Sequence, residues 1–142
     1  MPKYSDLKAL AEIRLKEART LHRNKLYDGS AYLCGYVVEL ALKARICKHL
    51  NIPEYPDSGD FKLIFSSHDF DRLLLLSGLQ KDINIANITN KKLYTNWLLL
   101  TQWKPEQRYQ PIGSYSQAKS RELIQALTSR RWGFYKWITT IW

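Results

Sequence analysis

Residues 27–50, YDGSAYLCGYVVELALKARICKHL, decide the fold of this chain. The stretch reads as one helix. Asp28 stands where a short carboxylate can accept from the free amides of a first turn. Ala31, Cys34, Val38 and Ala41 fall on one helical stripe, and Leu33, Val37, Leu40 and Ala44 on an overlapping one. A helix apolar over so wide a surface must be covered on most sides, which puts it in the middle of a bundle. A third stripe remains: Tyr32, Tyr36, Glu39 and Lys43, spaced by four, three and four and so held on one side of the helix. Glu39 and Lys43 form an i,i+4 pair with the acid N-terminal to the base, the order that the helix dipole favours. The stripe is either an intrahelical ion pair beside two core tyrosines or a polar site inside a bundle.

Working outward, Leu7, Leu10, Ala11, Ala18 and Leu21 give residues 5–26 a single apolar stripe, the mark of an amphipathic helix opened by Ser5. Only Tyr27, Asp28 and Gly29 are left for the turn, so the first two helices form an antiparallel hairpin. On the other side, residues 51–67 hold Pro53, Pro56 and Gly59 and read as a mobile loop. Ser66 and Asp69 have the spacing of a capping box for a short helix, HDFDRLLLLSG, closing at Gly78. His68 falls in its first turn, where a capping role is commoner than a ligand or acid–base role.

Residues 80–90 fit a loop or a helical lead-in. Thr89 is placed to cap NKKLYTNWLLLTQW, with Leu93, Trp97 and Leu100 inward and Pro105 ending the helix. The irregular WKPEQRYQPIGSY that follows carries Arg108, Tyr109 and Tyr115, and charged and aromatic residues on a stiff loop suit a site as well as a packed connector. A last helix starts near Ser116 and carries Ile124, Leu127, Phe134, Ile138 and Ile141, with Arg130, Arg131 and Lys136 as its basic face. The period is helical nearly throughout, with no repeat and no strand alternation. The expected class is all-α, with about five helices around an up-and-down four-helix core in one domain over residues 1–142.

Composition narrows the function. A chain of 142 residues, 45% of them apolar, can fill one core. It has no apolar run of membrane-spanning length, and MPKYSDLKAL lacks the apolar stretch of a signal peptide. Cys34 and Cys47 sit on one helix, roughly 20 Å apart and too far for a disulfide. Free thiols without an export signal point to the cytoplasm. The net charge is +9, and residues 72–142 carry most of it, with 11 Lys/Arg against 3 Asp/Glu and all five tryptophans. A basic, aromatic half suits a polyanion, and it equally suits a basic surface over an aromatic core. There is no glycine-rich phosphate loop, no Cys/His cluster with metal spacing and no nucleophile elbow, so neither cofactor nor metal is expected. His22, His49 and His68 stand in no triad spacing.

The helix YDGSAYLCGYVVELALKARI, then SHDFDRLLLL after a loop, then a separate RYQPIGSY, together resemble the HEPN domain (higher eukaryote and prokaryote nucleotide-binding) from about residue 5 to 140. An "E-x-x-L-K-A"-like run is matched by Glu39, Ala41, Leu42, Lys43 and Ala44. An "S/T-H-D/N-L"-like helix start is matched by Ser67, His68, Asp69 and Phe70, and an "R-Y" before the final helix by Arg108 and Tyr109. The resemblance implies an all-α bundle, a homodimer, and binding of a nucleotide or RNA. Some such domains are toxin ribonucleases paired with a small nucleotidyltransferase antitoxin, and those carry an R-x4-6-H motif in which Arg holds the scissile phosphate and His moves protons. Here no His follows Arg108, and Arg45–His49 has the wrong spacing on the wrong helix. The expectation is therefore binding without cleavage at Glu39, Lys43, His68, Arg108, Tyr109, Arg130 and Arg131. A toxin-type ribonuclease is the alternative. A third possibility is a partner of a separately encoded nucleotidyltransferase, whose substrate pocket the bundle helps to close.

Overall fold

In the computed structural model, which describes residues 1–142, the central stretch is the 24-residue helix α2 (Tyr27–Leu50). Buried residues run along it from Ser30 to Cys47, on more than one side. Helix α1 (Tyr4–Arg23) lies against it, burying Leu7, Ala11, Leu15 and Ala18. Ala11 and Ala18 keep the two backbones close, so the buried Ser30 hydroxyl can donate to the Ala18 carbonyl at 2.7 Å. The rest of the chain wraps this hairpin as α3 (Lys62–Phe65), α4 (Phe70–Leu76), α5 (Gln80–Thr89), α6 (Lys91–Leu100), α7 (Gln117–Thr128) and α8 (Phe134–Ile138). Helices α4, α7 and α8 all pack on α2. The fold is all-α and has no strand, and five of its eight helices reach ten residues or more. No helix is long and apolar enough to cross a membrane.

Several boundaries differ from the sequence reading, each for a tertiary reason. The turn between the first helices is Asn24–Leu26, with Lys25 left-handed at φ 62°, so α2 already begins at Tyr27. Residues 80–89 are a full helix, because Ile83 and Ala86 share a face and both reach the core. Asn90 rather than Thr89 caps α6: its Oδ1 accepts from the Leu93 amide, while the Thr89 hydroxyl donates back to Ile85. The expected last helix is two, α7 and α8, bent at Gly133, where a Cβ would press on the Leu127 carbonyl oxygen at 2.5 Å.

The proline-rich loop is anchored rather than loose. The Tyr4 amide donates to Pro53 and the Tyr55 amide to Pro2, tying the loop to the start of α1. The fully buried Tyr55 donates its hydroxyl to Phe65 at 2.8 Å. The tryptophans of the basic half serve the core: Trp97 and Trp103 are buried, and Trp137 and Trp142 are partly buried. Trp132 is the most exposed, at 36%, and the Lys92 ammonium lies 3.8 Å from its ring centre.

Candidate functional site

Glu39, 4% exposed, is the one charged residue among the buried positions. A buried carboxylate is stable only when its oxygens are matched. Glu39 Oε1 accepts from Lys43 Nζ at 2.7 Å, one turn along the same helix. Its Oε2 meets His68 Nδ1, also at 2.7 Å. His68 comes from the segment before α4 and is held there by the local cap. Asp69 Oδ1 accepts from the amides of Asp71 and Arg72, and Ser67 Oγ accepts from the Asp69 amide. The helix therefore starts at Phe70, and His68 precedes its first turn. With Nδ1 turned to the carboxylate, the half-exposed imidazole has Nε2 left for another partner. The Lys43 ammonium also lies 5.3 Å from the ring centre of Tyr55, whose phenol burial and then Glu39 push to a higher pKa.

One turn towards the N-terminus, the Tyr32 and Tyr36 hydroxyls are 3.1 Å apart. That hydrogen bond, followed by burial, pushes the Tyr36 phenol up to about 12; Glu39 adds to the effect and Arg108 opposes it. Trp103 sits over this end of the stripe. Its indole N–H donates to the Tyr32 carbonyl at 3.1 Å, its ring stacks on Phe70 at 5.3 Å, and Tyr36 meets it edge-on. This fit requires Gly35, since any Cβ there would fall inside the indole. Nothing in the local pattern of α2 marks Gly35; its reason is a ring 68 positions along the chain.

Trp103 anchors the turn Pro105–Tyr109 that carries Arg108. The Arg108 guanidinium is exposed and lies 4.8 Å from the ring centre of Tyr109, itself 77% exposed. It pairs with no carboxylate. The phenol oxygens of Tyr109 and then Tyr32 raise its already high pKa. Arg108, Tyr32, Tyr36, Glu39, Lys43 and His68 thus form one line along α2.

Asp28 does not cap α2. Its two oxygens instead accept from the amides of Gly113, at 2.7 Å, and Tyr115, at 2.8 Å. A tertiary demand has taken the carboxylate that local rules assign to the helix start. The loop so held closes a cavity of about 270 Å³ bounded by Asp28, Tyr32, Gln107, Arg108, Pro111 and Tyr115.

Arg130 and Arg131 are not part of this group. They are exposed beyond the far end of α7 from the Arg108 loop, roughly 20 Å away along the helix. Of the other histidines, His22 bonds the buried Ser120 hydroxyl at 2.9 Å and His49 packs over Gly78, both structural uses.

A family model described as HEPN domain matches residues 4–129 of the 142. No curated protein and no solved structure matches the chain.

Proposed function

The chain belongs to the HEPN domain family, and on that premise we propose that it binds a nucleotide or an RNA strand without cutting it. The observation that carries this reading is the exposed Arg108 guanidinium, free of any carboxylate and flanked by Tyr109 and Tyr32 at the mouth of a cavity. A guanidinium in that state suits a phosphate, which it can hold through two parallel hydrogen bonds. The exposed Tyr109 ring offers a face to a base. Further along α2, Lys43 and His68 supply donors, and Glu39 fixes both. Arg130 and Arg131 would meet phosphates of a longer strand rather than the same nucleotide.

One observation favours a second reading as a ribonuclease. His68 is oriented by a buried carboxylate and keeps a free ring nitrogen, the equipment for proton transfer. A homodimer and a nucleotidyltransferase partner belong to the same proposal, and the exposed Leu63, Ile88 and Ile112 offer apolar surface for such contacts. A one-chain mass in light scattering at micromolar concentration removes the dimer. Failure to co-purify with a neighbouring gene product removes the partner.

The test is fluorescence anisotropy of a short single-stranded RNA across a salt series. Affinity should fall with a log–log slope of about −0.7 per phosphate contact. Arg108→Ala should weaken binding most, and Arg130→Ala with Arg131→Ala should flatten the slope. Absence of binding by the wild type at low salt sinks the reading. The same samples on a denaturing gel show whether the RNA stays intact.

A further inference from the structure

Four of the five tryptophans meet another aromatic ring: Trp97 and Trp103 in the core, Trp137 against Phe134, and Trp142 against Tyr135. Trp132 instead has the Lys92 ammonium over its face. It sits in the turn between α7 and α8, directly after Arg130 and Arg131. Asn96 ties that turn to α6, since its side-chain amide donates to the Trp132 carbonyl at 2.8 Å. The ring therefore stands on a held backbone, beside a groove of about 290 Å³ lined by Lys92 and Asn96 from α6 and by Gln125 and Ser129 from α7. The Arg108 loop joins the same two helices at their other ends.

The charge here is placed against local preference. Lys91 and Lys92 open α6, whose first turn holds no acidic residue, although the positive end of a helix dipole disfavours cations there. Lys92 pairs with no carboxylate, and the one carboxylate of the groove, Glu122, is matched by Lys119 at 3.6 Å. From residue 91 onward nine Lys/Arg stand against Glu106 and Glu122, so only those two acids repel a polyanion. A lysine resting on an indole is an arrangement that a nucleotide can exchange. A surface cation–π contact is weaker than a stacked base, and the freed ammonium gains a phosphate. Resting on the RNA-binding reading above, we propose that the groove between α6 and α7 is a second nucleotide subsite for single-stranded RNA. Trp132 is its stacking platform, and Lys92, Arg130 and Arg131 are its phosphate contacts. A strand held by Arg108 reaches it by running roughly 20 Å along α7.

The test is fluorescence anisotropy of the full chain with a labelled adenylate dodecamer and a labelled adenylate dinucleotide, across a salt series. At about 3.4 Å per stacked nucleotide, the dodecamer spans both subsites and the dinucleotide does not. Trp132→Ala should weaken the dodecamer about tenfold at every salt concentration, because stacking releases no counterions. It should change dinucleotide binding less than twofold and keep the wild-type circular dichroism. Trp132→Phe, which retains a ring, should recover most of the dodecamer affinity. Lys92→Ala should instead flatten the log–log slope by about 0.7. Equal dodecamer affinity for the wild type and Trp132→Ala overturns the subsite and leaves the Arg108 reading standing. A loss in Trp132→Ala that comes with a flatter slope means that the indole only holds Lys92, and stacking is wrong. If the wild type binds neither RNA, both readings fall together.

Discussion

Two glycines in one helix should respond to the same substitution with opposite signs. In an open helix position Gly→Ala stabilises by up to about 1 kcal/mol, because alanine loses less backbone freedom on folding. Gly29, in the first turn of α2, is such a position, since an added methyl meets only the Leu21 methyl at 3.2 Å. That is the far end of a flexible side chain, and it can give. Gly35 is different. Its added methyl falls inside the indole of Trp103, which cannot step aside because Phe70 stacks on it and its N–H is committed to Tyr32. Mild overpacking costs about 1–3 kcal/mol, and expulsion of a buried Trp costs about 3–5 kcal/mol. Set against the helix gain of about 1 kcal/mol, Gly35→Ala should lose about 2–4 kcal/mol, a large share of the 5–15 kcal/mol of a typical domain. Urea unfolding of the two variants beside the wild type measures both. A Gly35→Ala protein as stable as the wild type would refute the assignment of Trp103 to this slot.

Asp28→Ala should release the loop at residues 110–115 and leave the helices folded. Limited proteolysis should become faster there, and the Gly113 and Tyr115 amides should lose protection from hydrogen exchange. Because the carboxylate accepts two backbone bonds, the stability loss should be about 1–3 kcal/mol in urea unfolding. Glu39→Ala strips the partner from both Lys43 and His68 and should cost about 3 kcal/mol, since it leaves an ammonium only 14% exposed without a counter-charge. A loss below 0.5 kcal/mol would mean that the pair is no better than a surface one. The Tyr36 phenol, held protonated up to about 12 by Tyr32 and burial, binds its proton more tightly folded than unfolded. Its contribution is therefore complete below about pH 10 and lost as pH rises from 10 towards 12. Tyr36→Phe should flatten that alkaline loss in denaturation curves taken across the range.

The part of this architecture legible in the chain is the part fixed by neighbours in sequence. The all-round apolar surface of α2 and the i,i+4 pairing of Glu39 with Lys43 follow from helical spacing, and both are found. His68 is the first failure of local reading. Spacing suggested a helix-capping place, but Asp69 is the cap, and His68 is freed to reach a carboxylate 29 residues earlier. Asp28 fails in the same way, because the amides of Gly113 and Tyr115 compete for it from 85 and 87 positions away. Composition could not say where the tryptophans go, since an aromatic ring has the same signature in a core and on a stacking surface. The Arg108 turn was visible as an oddity of prolines and aromatics. Its neighbour Trp103 carried no signal, because an indole over a glycine exists only once the chain has closed.

The buried surround of α2 also has a kinetic consequence. One wall of the cavity is the first turns of α2, at Asp28, Gly29 and Tyr32, on a helix packed against α1, α4, α7 and α8. The opposite wall is the loop of residues 107–115, whose far part is tied to α2 by the two bonds that Asp28 accepts from the Gly113 and Tyr115 amides. Adjustment to the proposed ligand should fall first on that part, through those two bonds. A ligand should then slow hydrogen exchange in that loop and change that of central α2 little, since those residues are already buried on more than one side.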